Sequence, residues 1–363
     1  MRRGPFTTRT THLMALAVAV LVLTRCARDP AQIAWDEAFA TATRTGDDAR
    51  LLSLASTALR STDEGAAQLE AARLLKSRDP LAAARLYRDI AKHAPRKADR
   101  ARAHYELARM AEDRGQLDTA RTLYRALVAH YPNLMPGERA LAHLLRLARD
   151  QGDPAVDAHL AWTLSLSDTL AHTELADNLL SQAADEAKRR AERDAPDRPD
   201  HPLWKTATGL YERLAKEHPG AGLWNDALWE LSHIHHKAAR YRDEIAVLER
   251  ILLERSEISL FGQNEHPYFY LGLRRIARLY HVELDDPIAA SRTWRLYAER
   301  YPKSILRDDV RFFALCAELL ANNPTAAREL ETLLREDHPD SKYLRRLPIT
   351  DPRGPACLPP EVE

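Results

Sequence analysis

The chain has 363 residues, enough for two compact domains or for one elongated array of repeats. Its 53 basic residues balance 53 acidic ones, so no net field draws it to nucleic acid or to an anionic membrane, and a nucleic-acid partner is disfavoured. Gly is scarce at 12 residues, which disfavours a chain of strands and tight hairpins; Ala, Leu, Arg and Glu dominate, and all four favour helix.

The N-terminus reads as an address. Arg2, Arg3 and Arg9 precede an uninterrupted apolar run from Leu13 to Leu23. A run of that length is too short to span a bilayer, which takes about 20 residues, and has the length of a secretory h-region. Cys26 follows directly. Leu23-Thr24-Arg25-Cys26 resembles the lipobox of bacterial lipoproteins, with Leu at −3 and a small residue at −2; Arg25 stands where that pattern has Gly, Ala or Ser. The resemblance implies a signal segment over 1–26 and a lipid anchor on Cys26, which would hold the chain on a membrane surface. An ordinary signal peptide with a chance Cys is the alternative.

Residues 27–63 are expected to form a helical cap, with a hairpin from Ala31 to Leu59. Beyond it, five segments share a frame that ends in Pro95, Pro132, Pro219, Pro302 and Pro339. Twelve residues before each Pro stands Ala: Ala83, Ala120, Ala207, Ala290 and Ala327. Eight before stand Tyr87, Tyr124, Tyr211, Trp294 and, in the last, Glu331; five before stand Ile90, Leu127, Leu214, Tyr297 and Leu334. Offsets of four and three residues put these positions on one helix face. The Ala lets a neighbouring helix approach, the larger residues fill the groove beside it, and the Pro stops the helix. Asp79-Pro80, Asp286-Pro287 and Asn323-Pro324 mark three helix starts, each a capping side chain before Pro at the first helical position.

A partner helix precedes each of these. Ala101 to Pro132 thus reads helix, turn at Gly115, helix, and here the chain resembles the tetratricopeptide repeat family. The resemblance implies an all-α, right-handed superhelical solenoid of antiparallel hairpins. About seven hairpins are expected over 64–339, with loop insertions near 194–202 and 259–267. The remaining 340–363 is a Pro-rich C-terminal tail, expected to be extended or disordered from Leu347.

Little in the sequence points to chemistry. It has no phosphate-binding loop, no nucleophile elbow and no H-E-x-x-H zinc motif. Glu230 with His233, His235 and His236 is the best metal candidate. It lacks the second copy that a di-metal carboxylate site needs, and packed or solvent-facing histidines are the preferred reading. Cys316 sits on an apolar stretch and reads as a buried structural thiol; pairing with Cys357 in an oxidising compartment is the less favoured alternative. No catalytic, cofactor or metal residue is assigned.

Stacked hairpins present an extended surface for a protein or peptide partner, and a non-enzymatic interaction scaffold is the function expected from that architecture. Glu217-His218-Pro219-Gly220-Ala221 and Tyr301-Pro302-Lys303-Ser304, followed by Asp226 or Asp308-Asp309, resemble the tetratricopeptide subgroup of bacterial envelope lipoproteins. Those include a component of the outer-membrane β-barrel assembly machine and the periplasmic coordinator beside the Tol–Pal system. The resemblance implies an exported, periplasmic scaffold and carries over no individual binding residue. The alternatives are an oligomeric structural or secretion-system subunit and a cell-wall enzyme accessory.

Overall fold

The computed structural model describes residues 30–57, 64–173, 175–253, 267–302 and 304–360. The expected leader over 1–26, with Cys26, and most of the loop expected near 259–267 lie outside the described residues. Among the described residues the fold is all-α: sixteen α-helices, with no strand. They divide into two compact units at Val156 and Asp157.

Unit 1 contains α1 (Pro30–Thr45), α2 (Asp48–Thr57), α3 (Glu64–Leu75), α4 (Pro80–His93), α5 (Lys97–Asp113), α6 (Leu117–His130), α7 (Met135–Arg149) and the first turn of α8 (Asp153–Thr169). Unit 2 continues α8 and adds α9 (Ala176–Asp194), α10 (Pro202–Glu217), α11 (Trp224–Lys237), α12 (Tyr241–Leu253), α13 (Pro267–Arg278), α14 (Pro287–Arg300), α15 (Arg307–Leu320) and α16 (Pro324–Asp337). Within unit 1 consecutive helices from α1 to α7 pack against one another, and within unit 2 those from α9 to α16 do. In unit 1 the first helices also touch: α3 meets α5, and α5 meets α7.

Local chemistry sets the ends of the helices. Asp79 accepts from the backbone N–H of Leu81 and Ala82, Asp286 from Ala289, and Asn323 from Ala326, each ahead of a Pro that begins the helix. His201 does the same for Leu203 before Pro202. At the other end, the residue before each terminal Pro leaves the helical region, because the pyrrolidine ring crowds it. Its ψ is 135° at Ala94 and 47°, 55°, 62° and 60° at Tyr131, His218, Tyr301 and His338. Each such residue still donates its N–H back to the residue five before the Pro, from Ile90 to Leu334.

The core follows the frame. Ala83, Ala120, Ala207 and Ala290 have no exposed surface, and Ala327 is buried. Tyr87, Tyr124, Tyr211 and Trp294 are among the largest fully buried or nearly buried side chains. Pro95, Pro219, Pro302 and Pro339 lie at the surface, and Pro132 is half-buried. At Glu331 the frame changes character: it faces Arg335 at 2.8 Å in solvent, on the last helix of the stack.

The C-terminal segment differs from expectation. Leu347 itself is extended, but the described part of the tail packs back on the helices. Lys342–Arg346 forms a 3₁₀ turn that packs on α15, where Tyr343 stacks on Phe312 at 4.5 Å. Arg346 donates to the carbonyl of Ala356 at 3.1 Å. Cys316 is not a lone thiol: it is bonded to Cys357, and both are fully buried. The Pro-rich composition suggested an unpacked chain, but Tyr343 and Cys357 supply the buried groups that composition hides.

Candidate interaction surfaces

In unit 1 the second helices send tyrosines toward a charged layer on the first helices. Tyr124 of α6 donates to Glu112 of α5 at 2.8 Å. Glu112 also meets His143 Nδ1 of α7 at 3.0 Å and pairs with Arg146. His143 Nε2 lies 3.0 Å from the Tyr105 hydroxyl, and its ring stacks on Tyr124 at 4.9 Å. Burial lowers the His143 pKa, and Arg109 lowers it further, against the opposing charge of Asp113. A neutral ring fits this pairing, with Nδ1–H donating to the carboxylate and Nε2 accepting from the tyrosine. Lys76, in the turn just after α3, extends the layer to Glu106 of α5 at 3.2 Å. Arg102 and Arg109 stand exposed beside it.

Unit 2 repeats the device. Tyr211 of α10 donates to Asp185 of α9 at 2.5 Å. Burial raises the Asp185 pKa, and the Tyr211 bond opposes that rise. Burial and the adjoining carboxylate push the Tyr211 hydroxyl far above its ordinary pKa, so it stays a donor. Farther along, Trp229 is sandwiched between Tyr268, stacked at 4.6 Å, and the Arg275 guanidinium at 5.4 Å. Arg275 is in turn held by the buried Glu244 at 2.5 Å.

The histidine-rich segment does not converge on one point. Glu230 is taken by Lys188 at 2.5 Å. His236 Nδ1 lies 2.9 Å from Glu244, His233 leans on Trp229, and His235 is buried at a packing position. Among the described residues no group of three or more ligand side chains is arranged to hold a metal.

Two clefts occupy the same place in the hairpin frame. One, of about 540 Å³, lies between α4 and α6 with α5 as its floor. The other, of about 240 Å³, lies between α14 and α16 over α15. Arg88 and Arg295 both stand seven residues before a terminal Pro, and Leu123 and Leu330 nine before the next one.

The Ala and aromatic signature residues therefore sit in the packed interior, apart from the tyrosine hydroxyls that reach the charged layer, while the terminal prolines lie at or near the surface. Arg88, Lys92, Glu112 and His143 carry the polar surface, and sequence reasoning passed over them. The one available signal was the change of charge at equivalent frame positions.

Residues 102–134, which are α5, α6 and the turns beside them, match the tetratricopeptide repeat family. The chain therefore carries a tetratricopeptide repeat, a module that binds protein partners. No curated protein matches the sequence. Among solved structures, a human IFIT1 dimer with m7Gppp-AAAA is similar at 13% identity and a TM-score of 0.30, over 84% of this chain and 77% of that one. Similarity at that score says nothing of what this chain binds.

Proposed function

We propose that this chain is a non-enzymatic interaction scaffold of the bacterial cell envelope, exported and held at a membrane through Cys26, that takes a protein partner along its first helices. The observation that carries the reading is the row α3–α5–α7 with its layer of Glu112, His143, Arg146, Arg102 and Arg109. Rigid helices hold this layer at a surface where each hairpin contributes a few side chains. The Cys316–Cys357 bond supports export, because disulfides persist in oxidising compartments and are rare in reducing ones. The repeat at 102–134 supports a protein partner over a small-molecule substrate.

Two measurements test this reading. Metabolic labelling with a radioactive fatty acid should mark the wild-type chain and leave Cys26→Ser unlabelled; an unlabelled wild type rejects the anchor. A photo-crosslinking side chain at Arg109 should capture an envelope protein in intact cells, whereas one at the exposed Leu81 of α4 should not. Equal capture from both positions rejects the first-helix row as the partner surface.

A further inference from the structure

The clefts over α5 and α15 share one architecture and differ in charge. The hairpin frame aligns them without a gap, since Pro95 to Pro132 and Pro302 to Pro339 have equal spacing. In the α15 cleft the cations are neutralised by carboxylates of the same three helices. Asp337 pairs with Arg311 at 2.5 Å and with Arg307 at 3.7 Å. Glu318 pairs with Arg295 at 3.2 Å, and Glu299 adds a third carboxylate at the rim.

At the corresponding positions of the α5 cleft all three carboxylates are gone. Asp337, two residues before its Pro, becomes His130. Glu318, which neutralises Arg295, becomes Ala111, and Glu299 becomes Lys92. The counterpart of Arg295 is retained as Arg88. Arg88 and Lys92 are exposed and have no ion pair among the described residues, and no carboxylate lines the cleft. Among the described residues Arg114 is held by the Pro80 carbonyl, at 3.4 Å. Beneath the cations the cleft is apolar, with Leu107 and Met110 on the floor and Leu123 on the α6 side. Ala84, Arg88 and Ala91 line one wall at helical spacing, so the trough runs along α4.

We infer that the α4–α5–α6 cleft docks an acidic amphipathic helix of a partner protein, whose carboxylates supply the counter-charge that Glu299, Glu318 and Asp337 supply around the α14–α16 cleft. An apolar trough between two helices suits the apolar stripe of a third, and the cationic rim selects acidic flanks and rejects basic ones. This surface lies on the second-helix side of the hairpins. The inference stands whether or not the first-helix row binds its own partner.

The test uses the full chain and a fluorescein-labelled synthetic helical peptide with Leu at i, i+4 spacing and Glu elsewhere, read by fluorescence anisotropy. A peptide with Lys in place of Glu is the control. The acidic peptide should bind saturably and the basic one should not. Arg88→Glu with Lys92→Glu should weaken binding by about tenfold or more. Ala111→Glu restores the internal counter-charge and should weaken it by several-fold while circular dichroism stays unchanged. Four results overturn the inference. One is no saturable binding of the acidic peptide. The second is equal binding of both peptides, or indifference to the Arg88 and Lys92 substitutions. The third is competition by anionic phospholipid vesicles as strong as by unlabelled peptide, which would assign the cleft to a lipid. The fourth is a concentration-dependent dimer abolished by the same substitutions, which would place a second copy there.

Discussion

Replacing Cys357 with Ser should loosen the C-terminal hairpin and leave the rest of the molecule intact. The bond closes a loop across a sequence separation of 41 residues, from α15 to the end of the tail. Loop-closure entropy for that length corresponds to about 4 kcal/mol in the chain-entropy description. Less than that will be felt locally, because other contacts hold the tail. Tyr343 remains stacked on Phe312, and Arg346 remains bonded to the Ala356 carbonyl. The Arg353–Asp285 pair at 3.2 Å is exposed on both sides and adds little. Cys316 stays buried as a free thiol, which an apolar site tolerates. Hydrogen exchange read by mass spectrometry resolves the effect by segment. Amides of α15 and α16 should exchange at least about tenfold faster in Cys357→Ser, and up to about a thousandfold if the whole entropic contribution is lost. Amides of α4–α6 should not change, because stacked hairpins pass stability mainly to neighbours. Unaltered exchange in α15 and α16 would refute the stabilising role of the bond. Equal acceleration throughout the chain would refute the linked-hairpin description and show one cooperative core.

Gly137 of α7 should not accept a side chain. A Cβ there would lie 2.5 Å from the backbone carbonyl of Tyr131, which cannot swing aside as a flexible side chain would. Gly137→Ala should cost about 1–3 kcal/mol, read as a lower thermal midpoint, and an unchanged midpoint would show that α6 and α7 can slide apart. A second expectation concerns acid. Burial lowers the His233 pKa from 6.5 to about 4, with Arg275 and Lys188 adding repulsion. The unfolded chain therefore takes up the proton more readily than the folded one. The neutral ring favours the fold fully above pH 6.5, and that contribution falls away as the pH drops toward 4. Allowing for partial exposure it amounts to about 2 kcal/mol. His233→Gln should flatten this part of the acid-denaturation profile, and an equally steep profile would reject the assignment.

The all-helical class was legible in the sequence because local rules wrote it. Scarce Gly, Asp or Asn before Pro at helix starts and Pro beyond helix ends act over a few residues, and their geometry survives in the fold at Asp79, Asp286 and Asn323. The Ala–aromatic–aliphatic frame was likewise periodic, and periodicity needs no knowledge of neighbours. The surfaces were not legible. Whether Arg88 is free or neutralised depends on a residue more than twenty positions away, as Arg295 and Glu318 show at the equivalent place.

The sequence by itself thus determined helices, their limits and the side of each that turns inward, since those follow from backbone sterics and short-range spacing. Only the tertiary structure decided that Cys316 meets Cys357, that Glu112 gathers Tyr124, His143 and Arg146, and that one of two matching clefts lacks its counter-charges. Each of these depends on which helices lie side by side, and that is set by packing across the hairpins.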